Sequence, residues 1–96
     1  MPKDFEVSKL LDIYGGLLPE KQRLIVKLYY NDDLSLSEIS ENEGITRQGV
    51  RDALKRAEAQ LRIFEQELHM AETVELLRRA RETEDSQKIF SIIDNL

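Results

Sequence analysis

The chain has 96 residues, with 14 Lys and Arg against 19 Asp and Glu, and no cysteine. This length predicts one helical domain over residues 1–96, and the lack of cysteine excludes disulfides and thiolate metal sites. No apolar run approaches the roughly 18 residues of a membrane span, and the first residues do not resemble a signal peptide. We therefore expect a cytoplasmic protein without membrane insertion.

The net charge of -5 is unevenly distributed along the chain. Residues 1–43 carry five basic and nine acidic side chains, residues 44–62 carry five and two, and residues 63–96 carry four and eight. The overall acidity argues against a general polyanion binder. Because exposed charges are screened over about 8 Å at physiological salt, a local basic face can still meet phosphate groups. The segment 44–62 is the candidate for such a face.

Helix-forming residues predominate and no segment favours strands, so the sequence predicts an all-α fold with about six helices. The first helix is predicted from about Asp4 to Tyr14 and ends at Gly15-Gly16. The second begins near Pro19, a good first-turn residue, and ends at Asn31-Asp32-Asp33. The residues available to the core are Phe5, Leu10, Leu11 and Tyr14 in the first helix, and Leu24, Ile25, Leu28 and Tyr29 in the second.

Residues 34–56 have the pattern of a helix, a glycine turn and a second helix. Ser35-Leu36-Ser37-Glu38 fits a capping box, Gly44 accepts the positive φ of a sharp turn, and Thr46 suits the N-cap of the next helix. This is the layout of a DNA-binding helix-turn-helix. The residues expected to hold the two helices at their angle are Leu36, Ile39, Ile45, Val50 and Leu54.

The fourth helix is expected to be long, because apolar residues continue along it at alternating spacings of four and three. They are Val50, Leu54, Ala57, Leu61, Phe64 and Leu68. A C-terminal helical extension, residues 71–96, should follow. It is predicted as two helices, about Thr73 to Arg81 and Ser86 to Asp94, separated by the polar turn Thr83-Glu84-Asp85-Ser86.

Four side chains of the fourth helix are candidates for DNA binding: Arg47, Gln48, Arg51 and Lys55. Arg can bridge the acceptors of guanine, Gln can pair with adenine, and Lys offers a point charge to phosphate. Asp52 lies among them. It could accept from a cytosine amino group, or it could bridge to Arg51 or Arg56 and weaken the positive field.

The alternative is a solvated charged face on an ordinary helical bundle, which is the commoner origin of such patterns. Two further basic groups favour structural roles. The second helix carries Lys21, Arg23 and Lys27, which suit a soluble surface, and Arg78, Arg79 and Arg81 have Glu72, Glu75 and Glu82 within reach for helical ion pairs.

Catalysis has little support in the sequence. His69 is the only histidine, and a capping or packing role is favoured over a ligand role because metal sites need several convergent donors. There is no glycine-rich phosphate loop and no distinctive carboxylate pair. We expect no enzymatic activity, no cofactor and no metal.

Two family resemblances cover the chain. Residues 17–61 resemble the fourth conserved region of bacterial sigma factors, which binds promoter DNA, through Leu18–Arg23, Leu34–Ile39, Gly44–Arg47 and Val50. Nearly the whole chain resembles the YlxM family of small bacterial proteins, through Leu28–Leu36, Thr46–Val50, Lys55–Glu58 and Leu68–Met70. The sequence departs from the family pattern at Ser40, Glu43, Gly49 and Arg51, where alanine, an apolar residue, alanine and an aromatic or histidine are usual.

The resemblance implies an all-helical, sigma-region-4-like helix-turn-helix domain, with residues 17–61 as its core, in a DNA-binding regulatory protein. Genes of this family lie beside those of the signal recognition particle, which implies a role in that pathway. We expect duplex DNA as the ligand. A homodimer is expected through the apolar residues near the C-terminus: Leu76, Leu77, Ile89, Ile92, Ile93 and Leu96. The alternative is a non-catalytic interaction module that binds a component of the signal recognition particle through acidic surfaces.

Overall fold

The structure, a computed structural model, describes residues 3–82 and 86–96. Within them lie six α-helices and no strand, which confirms the all-α prediction. The helices are α1 (Phe5–Tyr14), α2 (Glu20–Tyr30), α3 (Leu36–Glu43), α4 (Arg47–Leu68), α5 (Met70–Glu82) and α6 (Ser86–Asp94), and a 3₁₀ turn (Gly15–Leu17) lies between α1 and α2. The turn predicted at Thr83–Ser86 falls, except for Ser86, outside the described residues.

Side-chain caps open three of the six helices of the described residues, α1, α3 and α4. Asp4 Oδ1 accepts the Glu6 N–H over 2.9 Å at the start of α1, and Thr46 Oγ1 accepts the Gly49 N–H over 2.9 Å at the start of α4. Pro19 is the N-cap of α2 rather than a residue of its first turn. The range predicted for α6 is confirmed, whereas α5 begins at Met70, three residues earlier than predicted.

The fourth helix, 22 residues long, is the central element of the core. Its residues Val50, Leu54, Ala57 and Leu61 are completely buried and face α1, α2 and α3. Burying each leucine stabilises the fold by about 1.5–3 kcal/mol. The predicted apolar seam is therefore confirmed over its first three turns and weakens beyond them, since Leu68 is 52% exposed.

Two predictions of core residues were wrong. Phe5 is 85% exposed and Val7 is buried in its place, because Val7, Leu10, Leu11 and Tyr14 share one face of α1. In α2, Leu24 is 43% exposed whereas Val26 is completely buried.

The C-terminal helices pack mainly on each other, and α5 also contacts α1. His69 ends α4 in a left-handed conformation with φ 54°, and α5 begins at the next residue. No helix of the described residues is both long enough and apolar enough to cross a membrane.

Candidate nucleic-acid interface

A capping box opens α3, as the sequence predicted. Ser35 Oγ accepts the Glu38 N–H over 3.1 Å, and Glu38 Oε1 accepts the Ser35 N–H over 3.0 Å. The hydrogen bonds with the backbone and side chain of Ser35 lower the pKa of Glu38. The box therefore fixes where α3 begins.

Gly44 ends α3 in the left-handed region, with φ 66° and ψ 32°. The chain then passes through Ile45 and Thr46 directly into α4, which gives the short glycine turn expected of a helix-turn-helix. Ser40, one of the departures from the family pattern, has a role here, because its hydroxyl donates a hydrogen bond to the Ile45 carbonyl. That bond joins the last turns of α3 to the connecting segment.

Apolar contacts set the angle between the two helices. Ile39 of α3 and Val50 and Leu54 of α4 are completely buried, and Leu36 and Ile45 are partly buried against the same cluster. All five residues that the sequence proposed for this role thus meet in the core. The opposite side of the first turns of α4 is left in solvent.

The four candidate side chains lie on that first part of α4. Arg47, Gln48 and Lys55 are exposed and Arg51 is partly buried. At 1.5 Å rise per residue, Arg47 and Lys55 stand about 12 Å apart along the helix axis, which is about the width of a B-DNA major groove. Within the described residues, none of the three cations forms an ion pair. The main contacts of α5 and α6 are with each other and, for α5, with α1.

Asp52 has a different partner from the one considered in the sequence. Gln48 Nε2 donates a hydrogen bond to Asp52 Oδ1 over 3.0 Å, one helical turn apart, and Asp52 forms no ion pair with Arg51 or Arg56. Both side chains of the pair are exposed. The basic face therefore carries a carboxylate held in place by an amide.

Two other arginines of α4 differ in availability. Arg56 is exposed and without an ion pair among the described residues, although it was not one of the predicted site residues. The sequence feature that could have indicated Arg56 is its position directly after Lys55. Arg62, in contrast, has a structural role. Its Nη2 lies 2.8 Å from Asp4 Oδ2, and this ion pair joins α4 to the start of α1.

Comparison with known proteins agrees with this architecture. Residues 1–93 match the model of the family UPF0122, described as "Putative helix-turn-helix protein, YlxM / p13 like". The chain belongs to the UPF0122 family. The family resemblance proposed from the sequence is thereby confirmed.

Relatives in the UPF0122 family are similar over most of the chain. A UPF0122 protein of Clostridium kluyveri is 41% identical over 97 residues, covering 100% of this chain and 82% of its own. One of Clostridium perfringens is 43% identical over 82 residues, covering 85% and 73%. One of Thermoanaerobacter sp. is 55% identical over 69 residues, covering 71% and 59%.

Several charged groups near the start of α5 and along it have local partners in this UPF0122 protein. On α5, Glu75 pairs with Arg78 over 3.4 Å and with Arg79 over 3.2 Å, as expected of helical ion pairs. Glu72 instead lies 3.4 Å from Nδ1 of His69, which is exposed at the end of α4. Among the described residues, no three His, Cys, Asp or Glu side chains are grouped as metal ligands.

Proposed function

We propose that this UPF0122 protein is a regulatory protein that binds duplex DNA by inserting the start of α4 into the major groove. The observation that carries the proposal is the state of its basic face: Arg47, Arg51 and Lys55 lack ion pairs within the described residues, Arg47 and Lys55 are exposed, and Arg51 is partly buried. Three cations without ion pairs near the start of one helix keep their charge available to phosphate groups and base edges.

The position of each side chain on α4 suggests its role. Arg47 and Gln48 lie in the first turn, which is the part of a recognition helix that reaches base edges. Arg51 follows one turn later and can bridge the O6 and N7 acceptors of guanine. Lys55, further from the N-terminus, is suited to a phosphate group of the flanking backbone. A protein that binds genomic DNA in this way would act in the cytoplasm.

The salt dependence of binding tests the proposal. Three or four phosphate contacts per subunit predict that log K falls against log salt with a slope of about -3 to -4. The double variant Arg51→Glu, Lys55→Glu should bind at least tenfold more weakly at low salt and lose about 1 from that slope, because Lys55 is the phosphate contact of the two. Fluorescence anisotropy with mixed-sequence duplexes measures both quantities.

A matched control carries the same change in net charge away from α4. Lys9→Glu, Arg81→Glu replaces two exposed cations of α1 and α5 that have no ion pair among the described residues. This control should keep the slope of the unaltered protein. Absence of binding at low salt, or equal losses in both double variants, would refute the DNA-binding proposal.

We further propose that the protein acts as a homodimer. A single recognition helix contacts few base pairs, so helix-turn-helix proteins commonly present two. The surface proposed for self-association is the exposed apolar side of α6 with the C-terminal residue that follows it: Phe90, Ile93 and Leu96 are 60%, 50% and 76% exposed. Apolar groups of this size at one end of a helix favour a protein contact.

A second candidate function is a non-catalytic interaction module that binds a component of the signal recognition particle. The observation that favours it is the net charge of -5, which suits a basic partner better than a nucleic acid. The purified protein component of the particle and its RNA, titrated separately, distinguish this function from DNA binding. Binding to that protein together with no duplex binding at low salt would favour the module.

A further inference from the structure

The bonded pair Gln48 and Asp52 lies on the proposed recognition surface, and its chemistry carries an inference that rests on the proposed function. Asp52 is exposed at the sixth position of α4, one turn after Gln48 and next to Arg51. The Gln48 amide donates to Oδ1 over 3.0 Å, which leaves Oδ2 of the carboxylate without a partner in the described residues. A pair so placed would meet base edges together with the arginines.

A carboxylate only accepts hydrogen bonds, and this restricts what it can face in the major groove. Guanine presents two acceptors there, and thymine presents one acceptor and a methyl group, so neither can donate a hydrogen bond to a carboxylate. Adenine offers an amino group beside the N7 acceptor. Cytosine alone offers a donor, its N4 amino group, with no acceptor on the same edge.

We propose that Asp52 is a specificity-determining residue that selects cytosine at one position of the DNA site, and that Gln48 is its positioning residue. The hydrogen bond from the Gln48 side-chain amide limits the rotation of the Asp52 carboxylate. Its second oxygen, Oδ2, would then project toward the groove. The same negative charge repels phosphate and lowers affinity for DNA that lacks the selected base. Specificity is thereby gained at a loss of general affinity.

Selection from a duplex library with a randomised core tests this inference in the chain of residues 1–96. The unaltered protein should enrich cytosine at one position of each half-site. Asp52→Asn should move that preference to adenine, because the asparagine amide can pair with N6 and N7 of adenine, and discrimination should change about 5- to 100-fold. Gln48→Ala should weaken the cytosine preference without moving it to adenine.

Two controls separate the inference from folding and from the proposed function. Asp12→Asn makes the same chemical change at an exposed residue of α1 and should leave the selected sites unaltered. Circular dichroism verifies that each variant is helical. If the unaltered protein binds no duplex at low salt, DNA binding itself is refuted and the inference fails with it. If it binds but selects the same bases as Asp52→Asn, only the role of Asp52 is refuted.

Discussion

The hydroxyl of Tyr14 donates a hydrogen bond to Glu65 Oε1 over 2.6 Å, which joins α1 to α4 beside the start of α5. The carboxylate of Glu65 also accepts the N–H groups of Ala71 and Glu72 over 3.0 Å and 3.1 Å. The Tyr14 oxygen accepts the N–H of Met70 over 2.9 Å. Three N–H groups that a helix start leaves without helical partners are thus satisfied by two side chains from other helices.

Replacing Glu65 by Gln should lower the free energy of unfolding by about 1–3 kcal/mol, because a charged acceptor is lost and an amide donor faces backbone donors. Urea denaturation followed by circular dichroism measures the change. Glu67→Gln, at an exposed site on the same helix with no partner among the described residues, is the matched control and should stay within about 0.5 kcal/mol. Equal effects of the two substitutions would contradict the role assigned to Glu65.

The stability contributed by Glu65 should depend on pH. Burial raises the pKa of Glu65, but hydrogen bonds from Tyr14, Ala71 and Glu72 and the nearby His69 outweigh burial and leave that pKa below its ordinary 4.5. A carboxyl with a lowered folded pKa stabilises the fold fully above its unfolded pKa and loses that contribution as the pH falls through the folded value.

The difference in unfolding free energy between the unaltered protein and Glu65→Gln should therefore be present at about pH 5 to 7 and shrink below about pH 4.5. Urea denaturation of both proteins at pH values from about 3 to 7 checks this. A difference that persists unchanged at the acid end would show that the charge of Glu65 is not responsible.

The early start of α5 shows why this part of the fold was not predictable from local sequence. Caps close to their helix, such as Ser35 and Thr46, are visible in the sequence, and those boundaries were predicted. The acceptors for the start of α5 come from Tyr14, 56 residues before Met70, and from Glu65 in the preceding helix. No local pattern specifies such a contact.

Errors about the core have a different origin. In α1, the spacing of Val7, Leu10 and Leu11 was available in the sequence, and a stricter test of helical period would have preferred Val7 to Phe5. In α2, three consecutive apolar residues begin at Leu24, and only the packing of α4 decides which of them is buried. In the candidate site, helical spacing predicted the basic face, but the partner of Asp52 depends on side-chain conformation.

Gly44 is expected to be a costly position for any other residue. Its φ of 66° is a conformation that L-residues adopt at a cost of about 1–2 kcal/mol, although a Cβ would meet no atom within 4 Å. Gly44→Ala should therefore lower the unfolding free energy by about 1 kcal/mol or more in thermal or urea denaturation. Gly16→Ala is the control, since the site is equally open and has no positive φ, and it should be neutral or slightly stabilising.

Gly49 is expected to behave in the opposite way. An added Cβ would lie 3.3 Å from Thr46 Oγ1, so the threonine side chain must move by a few tenths of an ångström to make room for it. Since α3 accommodates Glu38 at the equivalent place beside Ser35, Gly49→Ala should raise the unfolding free energy by about 0.5–1 kcal/mol. Ala59→Gly, at an exposed site on the same helix, gives the opposite sign for comparison. Destabilisation by Gly49→Ala would show that the Thr46 cap cannot yield to a side chain there.

The proposed dimer can be tested with two exposed phenylalanines. Phe90 lies on the apolar side of α6 and is 60% exposed, whereas Phe5 belongs to α1 and is 85% exposed. Light scattering after gel filtration should give twice the chain mass of 11.2 kDa for the unaltered protein and for Phe5→Glu. Phe90→Glu should give 11.2 kDa, because a carboxylate buried at the centre of a contact costs several kcal/mol. Duplex affinity should fall with the dimer, since two linked recognition helices bind as one unit. A monomeric unaltered protein, or a dimer that Phe90→Glu leaves intact, would overturn the proposal that α6 mediates self-association.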